Sequence, residues 1–240
     1  MTRNRVLLFG FVGLLVIGAA ALAFVPRGRQ ADAPRVEGQK PALMVLTTLP
    51  LLFPEEFTLE GGGSKALTAL ETRYRVVPIG TTDSTSLNQG RFLLLAHPLA
   101  QPADALVDLD RWVREGGRLL LLADPRLDWP SKRPLGDKLR PPPSFADTGL
   151  LKHWGLTLQT QAETGPKQRE LANRQILTVS PGTLSGSCEI ESGGFVARCA
   201  VGKGLAVVVA DADFLNVEQL DGPTESNLEA LIAELDRLER

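Results

Sequence analysis

The sequence predicts an α/β fold with a mostly parallel sheet and helices on both faces. Three observations carry that expectation. Residues 91–96, 118–123 and 204–210 are almost continuously apolar, the pattern of strands buried on both faces. Between the first two, Ala105, Leu106, Leu109, Trp112 and Val113 share one helical face, with Asp104, Asp108, Arg111 and Arg114 largely elsewhere. Gly116-Gly117 then supplies a left-handed stop, so residues 91–123 read as a βαβ unit with a right-handed crossover.

The other elements follow in order. Residues 42–49 read as a buried strand, and Gly61-Gly62-Gly63 leads to a helix capped by Ser64, with Ala66, Leu67, Ala69 and Leu70 towards the core. Residues 75–78 form a short strand. Pro102 suits a first helical turn. Pro141-Pro142-Pro143 belongs to a long excursion, after which Asp147 caps a short helix carrying Leu150, Leu151 and Trp154, ended by Gly155. Residues 156–158 are a strand, and residues 174–200 hold short β-rich runs around Ser-Gly turns. From Thr224 a last helix keeps a 3.6-residue period through Leu228, Leu231, Ile232, Leu235 and Leu238.

The 240 residues allow one good-sized core plus a targeting segment. A formal charge of -2, from 26 basic and 28 acidic residues without long runs of one sign, speaks against nucleic acid as a partner. Apolar residues at 43% and charged ones at 22% are those of an ordinary folded domain. Arg3 and Arg5 precede an uncharged stretch, residues 6–25, long enough as a helix to cross a bilayer core of about 30 Å. It reads as an anchor, or as a signal peptide cut near Ala23 in Ala21-Leu22-Ala23. Arg27 and Arg29 follow the span, so charge sets its orientation only weakly. The expected organisation is an anchor or signal over 1–27, a linker over 28–41 and an α/β domain over 42–240. The expected location is the inner membrane, single-pass, with the domain outside the cytoplasm. The alternative is secretion to the periplasm, and a cytoplasm-facing domain coupled to an ATPase stands third.

His97-Pro98, the run from Asp108 through Gly116-Gly117 to Ala123-Asp124-Pro125, and Ala210-Asp211-Ala212-Asp213-Phe214-Leu215-Asn216 together resemble the GldG-like family of ABC-transporter auxiliary proteins. The resemblance covers residues 42–216. It implies a flavodoxin-like sheet related to class I glutamine amidotransferases, and a non-catalytic envelope component of an ABC-transport-like or gliding-type assembly. Its partners would be the lipid bilayer and membrane proteins. The chain lacks a C-terminal spanning segment that longer family members carry.

An amidotransferase needs a cysteine on a sharp turn after a core strand, and neither cysteine here is so placed. Cys188 and Cys199 instead flank Ser192-Gly193-Gly194, so a hairpin turning there puts them within disulfide reach; the alternative is two buried thiols. His97 follows one apolar strand, Asp124 another, and Asp211 and Asp213 a third. All four are candidate ligand-binding residues at the carboxyl edge, where open α/β sheets bind ligands. A His with several carboxylates suits a cation or a polarised substrate, while the plainer reading is that the aspartates cap turns. No His or Cys spacing marks a metal site, no cofactor is expected, and His153 reads as structural. Gly61-Gly62-Gly63-Ser64-Lys65 lacks the spacing of a phosphate loop. The leading expectation is the non-catalytic envelope protein; its rival is an envelope hydrolase using His97 with the aspartates.

Overall fold

Side chains 93–95, 119–122 and 206–209 are almost wholly buried, so both faces of the strands that carry them are covered. The computed structural model describes residues 34–53, 55 and 63–240. Its strands are β1 (Ala42–Thr47), β2 (Arg75–Pro78), β3 (Phe92–Ala96), β4 (Arg118–Leu122), β5 (Leu156–Gln159), β6 (Pro166–Leu171), β7 (Arg174–Val179), β8 (Thr183–Gly186), β9 (Glu189–Glu191), β10 (Val196–Val201) and β11 (Gly204–Val209). Seven of them form an open sheet in the order β2-β1-β3-β4-β11-β10-β9. The pairs from β2 to β11 are parallel, and β10 runs antiparallel to both β11 and β9.

The alternation of side chains along β1, β3, β4 and β11 divides the core in two. Leu43, Val45, Leu94, Leu120 and Val207 pack with helices α1 (Lys65–Arg73) and α5 (Glu225–Glu239), which supply Leu70, Leu231 and Leu235. Met44, Leu93, Leu95, Leu121 and Val208 pack with Leu87 of α2 (Ser84–Leu87), Leu109 and Val113 of α3 (Ala103–Arg114) and Leu151 of α4 (Leu150–His153). Each such side chain contributes about 1.5–3 kcal/mol on burial, so neither face can be left open.

Local chemistry sets the boundaries. The Ser64 hydroxyl accepts from the Leu67 amide at 3.1 Å, which caps α1. Helix α3 ends where the Gly116 and Gly117 amides donate back to the Val113 and Trp112 carbonyls. Gly116 has φ +116°, and a Cβ on Gly117 would stand 2.3 Å from the Trp112 ring. The Asp147 carboxylate accepts from the Gly149 and Leu151 amides at the start of α4.

Two small antiparallel sheets, β5 with β8 and β6 with β7, lie outside the seven-stranded one. Strand β6 leaves no trace in the hydrophobic pattern because only Leu171 of its residues is buried. Its ladder is closed by Ala172 and Asn173, with φ +52° and +61°. Strand β7 is held from the other side by Asn227 of α5. That side chain is fully buried, accepts from the Leu177 amide at 2.9 Å and donates to the carbonyls of Leu177 and Phe214 at 2.8 Å each.

Cys188 and Cys199 are joined in a disulfide, with Cα atoms 4.8 Å apart. The hairpin between them turns through Ser192–Gly194, and the bond fastens the short edge strand β9 to β10. Residues 6–25, the expected membrane span, lie outside the described residues, as do Gly61 and Gly62. Among the described residues no helix is long and apolar enough to cross a membrane, so the spanning helix expected as part of the fold is not carried forward.

Replacing Asn227 with Ala removes three hydrogen bonds and leaves buried backbone groups of β7 and Phe214 unpaired. A loss of about 3 kcal/mol is expected, read as a lower urea midpoint with an unchanged slope.

Candidate functional site

Strands β3, β4 and β11 are neighbours and parallel, so the loops after them leave the sheet side by side at its carboxyl edge. Those loops carry His97, Asp124 and the pair Asp211 and Asp213. The three aspartates meet: one carboxylate oxygen from each lies within 4.8 Å of the others. His97 is not part of that group. Its Nε2 stands 2.9 Å from the carbonyl oxygen of Pro142, which can only accept, so this nitrogen carries the proton and donates. Burial lowers the His97 pKa, the Pro142 bond raises it in part, and the ring is neutral at pH 7. His97 is a post that holds the proline-rich excursion against the sheet. Its backbone has φ +47° and its carbonyl accepts from the Thr48 hydroxyl.

Asp124 and Asp211 are fully buried, and Asp213 is 1% exposed. Their charge is met by neutral donors. Asp124 accepts from the Arg126 amide at 2.8 Å and the Ala212 amide at 3.0 Å, which ties the end of β4 to the end of β11. Asp211 Oδ1 accepts from the Thr178 hydroxyl of β7 and from the Phe214 amide. Asp213 Oδ2 accepts from the Asp128 amide at 2.8 Å. Among the described residues two buried oxygens, Asp211 Oδ2 and Asp213 Oδ1, have no hydrogen-bond partner.

Desolvation is the first cause of the shifts that follow. It raises Asp124 to about 6 against the pull of three backbone amides. It raises Asp213 to about 8, helped by the charges of Asp124 and Asp128. Asp211 is pushed well above the usual carboxylate range by burial and then by Asp124 and Asp213, which the Thr178 and Phe214 bonds offset only in part.

The cover over this cluster comes from residues 125–147. Asp128 reaches Asp213, Phe145 donates to the Asp124 carbonyl, and Leu127 donates to the Pro143 carbonyl. The outer side of the same segment lines a groove of about 500 Å³ with Leu127, Trp129, Pro142 and Pro143, opposite Leu99. Thr178 and Asp128 are the members of the site that sequence reasoning did not find. Neither stands at a strand end or in a motif, and only the fold brings them in. His153 is more than half exposed and lies beside Asp110 and Arg114 on the helical face, away from the aspartates.

No family model and no curated protein matches this sequence. Its fold is similar to solved structures at low identity. One is the exo-β-1,4-mannosidase Op5Man5 from Opitutaceae bacterium strain TAV5, 14% identical with a TM-score of 0.46 over 88% of this chain and 36% of that one. Another is Gan42B, a GH42 β-galactosidase from G. stearothermophilus, 12% identical with a TM-score of 0.47 over 83% and 30%. A third is the cytoplasmic protein STM3548 from Salmonella typhimurium, 11% identical with a TM-score of 0.50 over 82% of this chain and 98% of that one. The chain thus spans about a third of the length of the glycosidases it is similar to. These are distant likenesses of fold alone.

Several expectations are corrected by these findings. No family model or curated protein supports the GldG-like resemblance, and STM3548, the similar structure with a TM-score of 0.50, is not described as such a protein, so the family resemblance, the amidotransferase-like fold class and the transport and gliding role are not carried forward. The residues behind the resemblance are a helix, a Gly-Gly stop, a strand and an aspartate at the strand end, which the geometry of any doubly wound sheet favours. Among the described residues no helix is long and apolar enough to cross a membrane, so the expected inner-membrane or periplasmic location is not carried forward. Of the envelope features expected, the disulfide is present.

The raised aspartates fix the sign of a pH effect. Folded values near 6 and 8 lie above the unfolded value of about 3.9, so the folded chain binds more protons between these limits. Their contribution to stability is full below about pH 4 and is lost as pH rises towards 8. In chelator-treated protein Tm is expected to fall by several degrees from pH 5 to pH 8, and Asp213→Asn to flatten the upper part of that fall, by scanning calorimetry.

Proposed function

We propose that the chain is a hydrolase domain whose working groups are Asp124, Asp211 and Asp213. The observation that supports this most directly is the convergence of three carboxyl groups at the carboxyl edge of the sheet, two of them with an oxygen left free of hydrogen-bond donors. Hydrolysis needs groups that orient and activate water, and a water-poor site strengthens their electrostatic effect. The segment 125–147 supplies that exclusion. Substrate reaches the aspartates when the segment lifts, which breaks the Asp128 to Asp213 and Phe145 to Asp124 bonds together. The groove beside Trp129 and Pro142 is where an apolar part of the substrate lodges meanwhile.

A second reading, a non-catalytic domain that binds a ligand at this edge, is favoured by one observation. Each aspartate already accepts hydrogen bonds from backbone amides, and none is exposed by more than 1%.

Incubating the full chain with panels of 4-nitrophenyl glycosides and esters separates the two. The hydrolase reading expects nitrophenol release from at least one panel. It also expects a fall in kcat of about 100-fold or more in Asp124→Asn and Asp213→Asn, with unchanged circular dichroism. No release from either panel by folded protein leaves the binding reading in its place.

A further inference from the structure

We propose that Asp124, Asp211 and Asp213 hold a calcium-sized divalent cation between the ends of β4 and β11. The proposal concerns the residues of the proposed function, but it is read from binding without turnover, so either can fail while the other stands.

The spacing is the first argument. Two oxygens on one ion at 2.3–2.6 Å stand at most about 4.6–5.2 Å apart, whereas at the 2.0–2.1 Å of magnesium they reach about 4.2 Å. A group whose ligand oxygens lie within 4.8 Å of one another can close on one ion of the larger size.

Two unmet oxygens point to an ion independently of the clustering. Asp211 is fully buried and Asp213 nearly so, yet Asp211 Oδ2 and Asp213 Oδ1 accept from no donor among the described residues. Asp124 has a donor on each oxygen, and Oδ1 of Asp211 and Oδ2 of Asp213 are likewise occupied. Buried polar atoms in folded proteins are almost always satisfied, and an uncompensated buried carboxylate is among the costliest groups to leave unmet. One cation meets both oxygens at once.

The donor set is the third argument. It consists of hard carboxylate oxygens, and neither ring nitrogen of His97 belongs to the group. Oxygen-only sets select calcium, magnesium or manganese over zinc and copper. In this place the ion would cross-link two strand ends that Asp124 already joins through the Ala212 amide.

The test is calcium titration of the chelator-stripped full chain by calorimetry, with Tm measured alongside. Expected are saturable one-to-one binding, a rise in Tm of several degrees at saturation, and weaker binding of magnesium. Asp211→Asn and Asp213→Asn each keep the caps and remove a free oxygen's charge. Each is expected to weaken calcium at least tenfold while its metal-free Tm stays level with the parent or above it. An exposed control, Asp221→Asn, leaves affinity unchanged. Absence of binding by the folded parent overturns the proposal without any variant. Calcium affinity unchanged in both cluster variants overturns it too, because the ion then sits elsewhere.

Discussion

Burial of the central strands on both faces is the constraint from which the rest follows. Leucines and valines along β3, β4 and β11 have almost no exposure, so each strand needs a helix above and a helix below. A chain that returns to the same sheet edge through covering helices makes parallel neighbours. Parallel neighbours in turn deliver their following loops to one edge, and for that reason Asp124, Asp211 and Asp213, distant in the chain, end up with a carboxylate oxygen of each within 4.8 Å of the others. The two antiparallel strands β10 and β9 then close one side, with the disulfide fastening the weaker of them.

At that edge two demands compete. The loops after β4 and β11 bury backbone amides, and the aspartates satisfy them: the Arg126, Asp128, Ala212 and Phe214 amides all donate to one of the three carboxylates. Each such charge-assisted bond is worth about 1.5–3 kcal/mol. Satisfying the amides, however, gathers three acids in a buried place, and among the described residues no cationic side chain is a cause of their shifts. Capping alone therefore explains the occupied oxygens and not the two free ones. Protons on the acids or a bound cation must complete the balance, and this choice decides whether the edge is a set of turns or a site.

The order of strands and helices was legible wherever apolar runs and helical periodicity were strong, as in residues 91–123 and in α5. The disulfide was legible because Cys188 and Cys199 are symmetric about a glycine turn. Convergence of Asp124, Asp211 and Asp213 followed from their places at three strand ends, but His97, in an equivalent place, turns its ring to a carbonyl supplied by the proline excursion. Nothing in local spacing encodes which way a strand-end side chain faces once a long loop folds over it. The same limit hid Thr178 and Asp128, whose roles depend on where β7 and the cover pack, and hid β6, which is almost entirely polar. The family resemblance misled for a related reason: its motif residues serve the geometry of the sheet, and many unrelated proteins need that geometry.

The most direct test of this account is the anomalous difference density of crystals grown with manganese after chelation. The account predicts one strong peak between the carboxylates of Asp124, Asp211 and Asp213, in contact with an oxygen of each. A map without a peak there, in which Asp211 Oδ2 and Asp213 Oδ1 approach to a short hydrogen-bonding distance and share a proton, would contradict it.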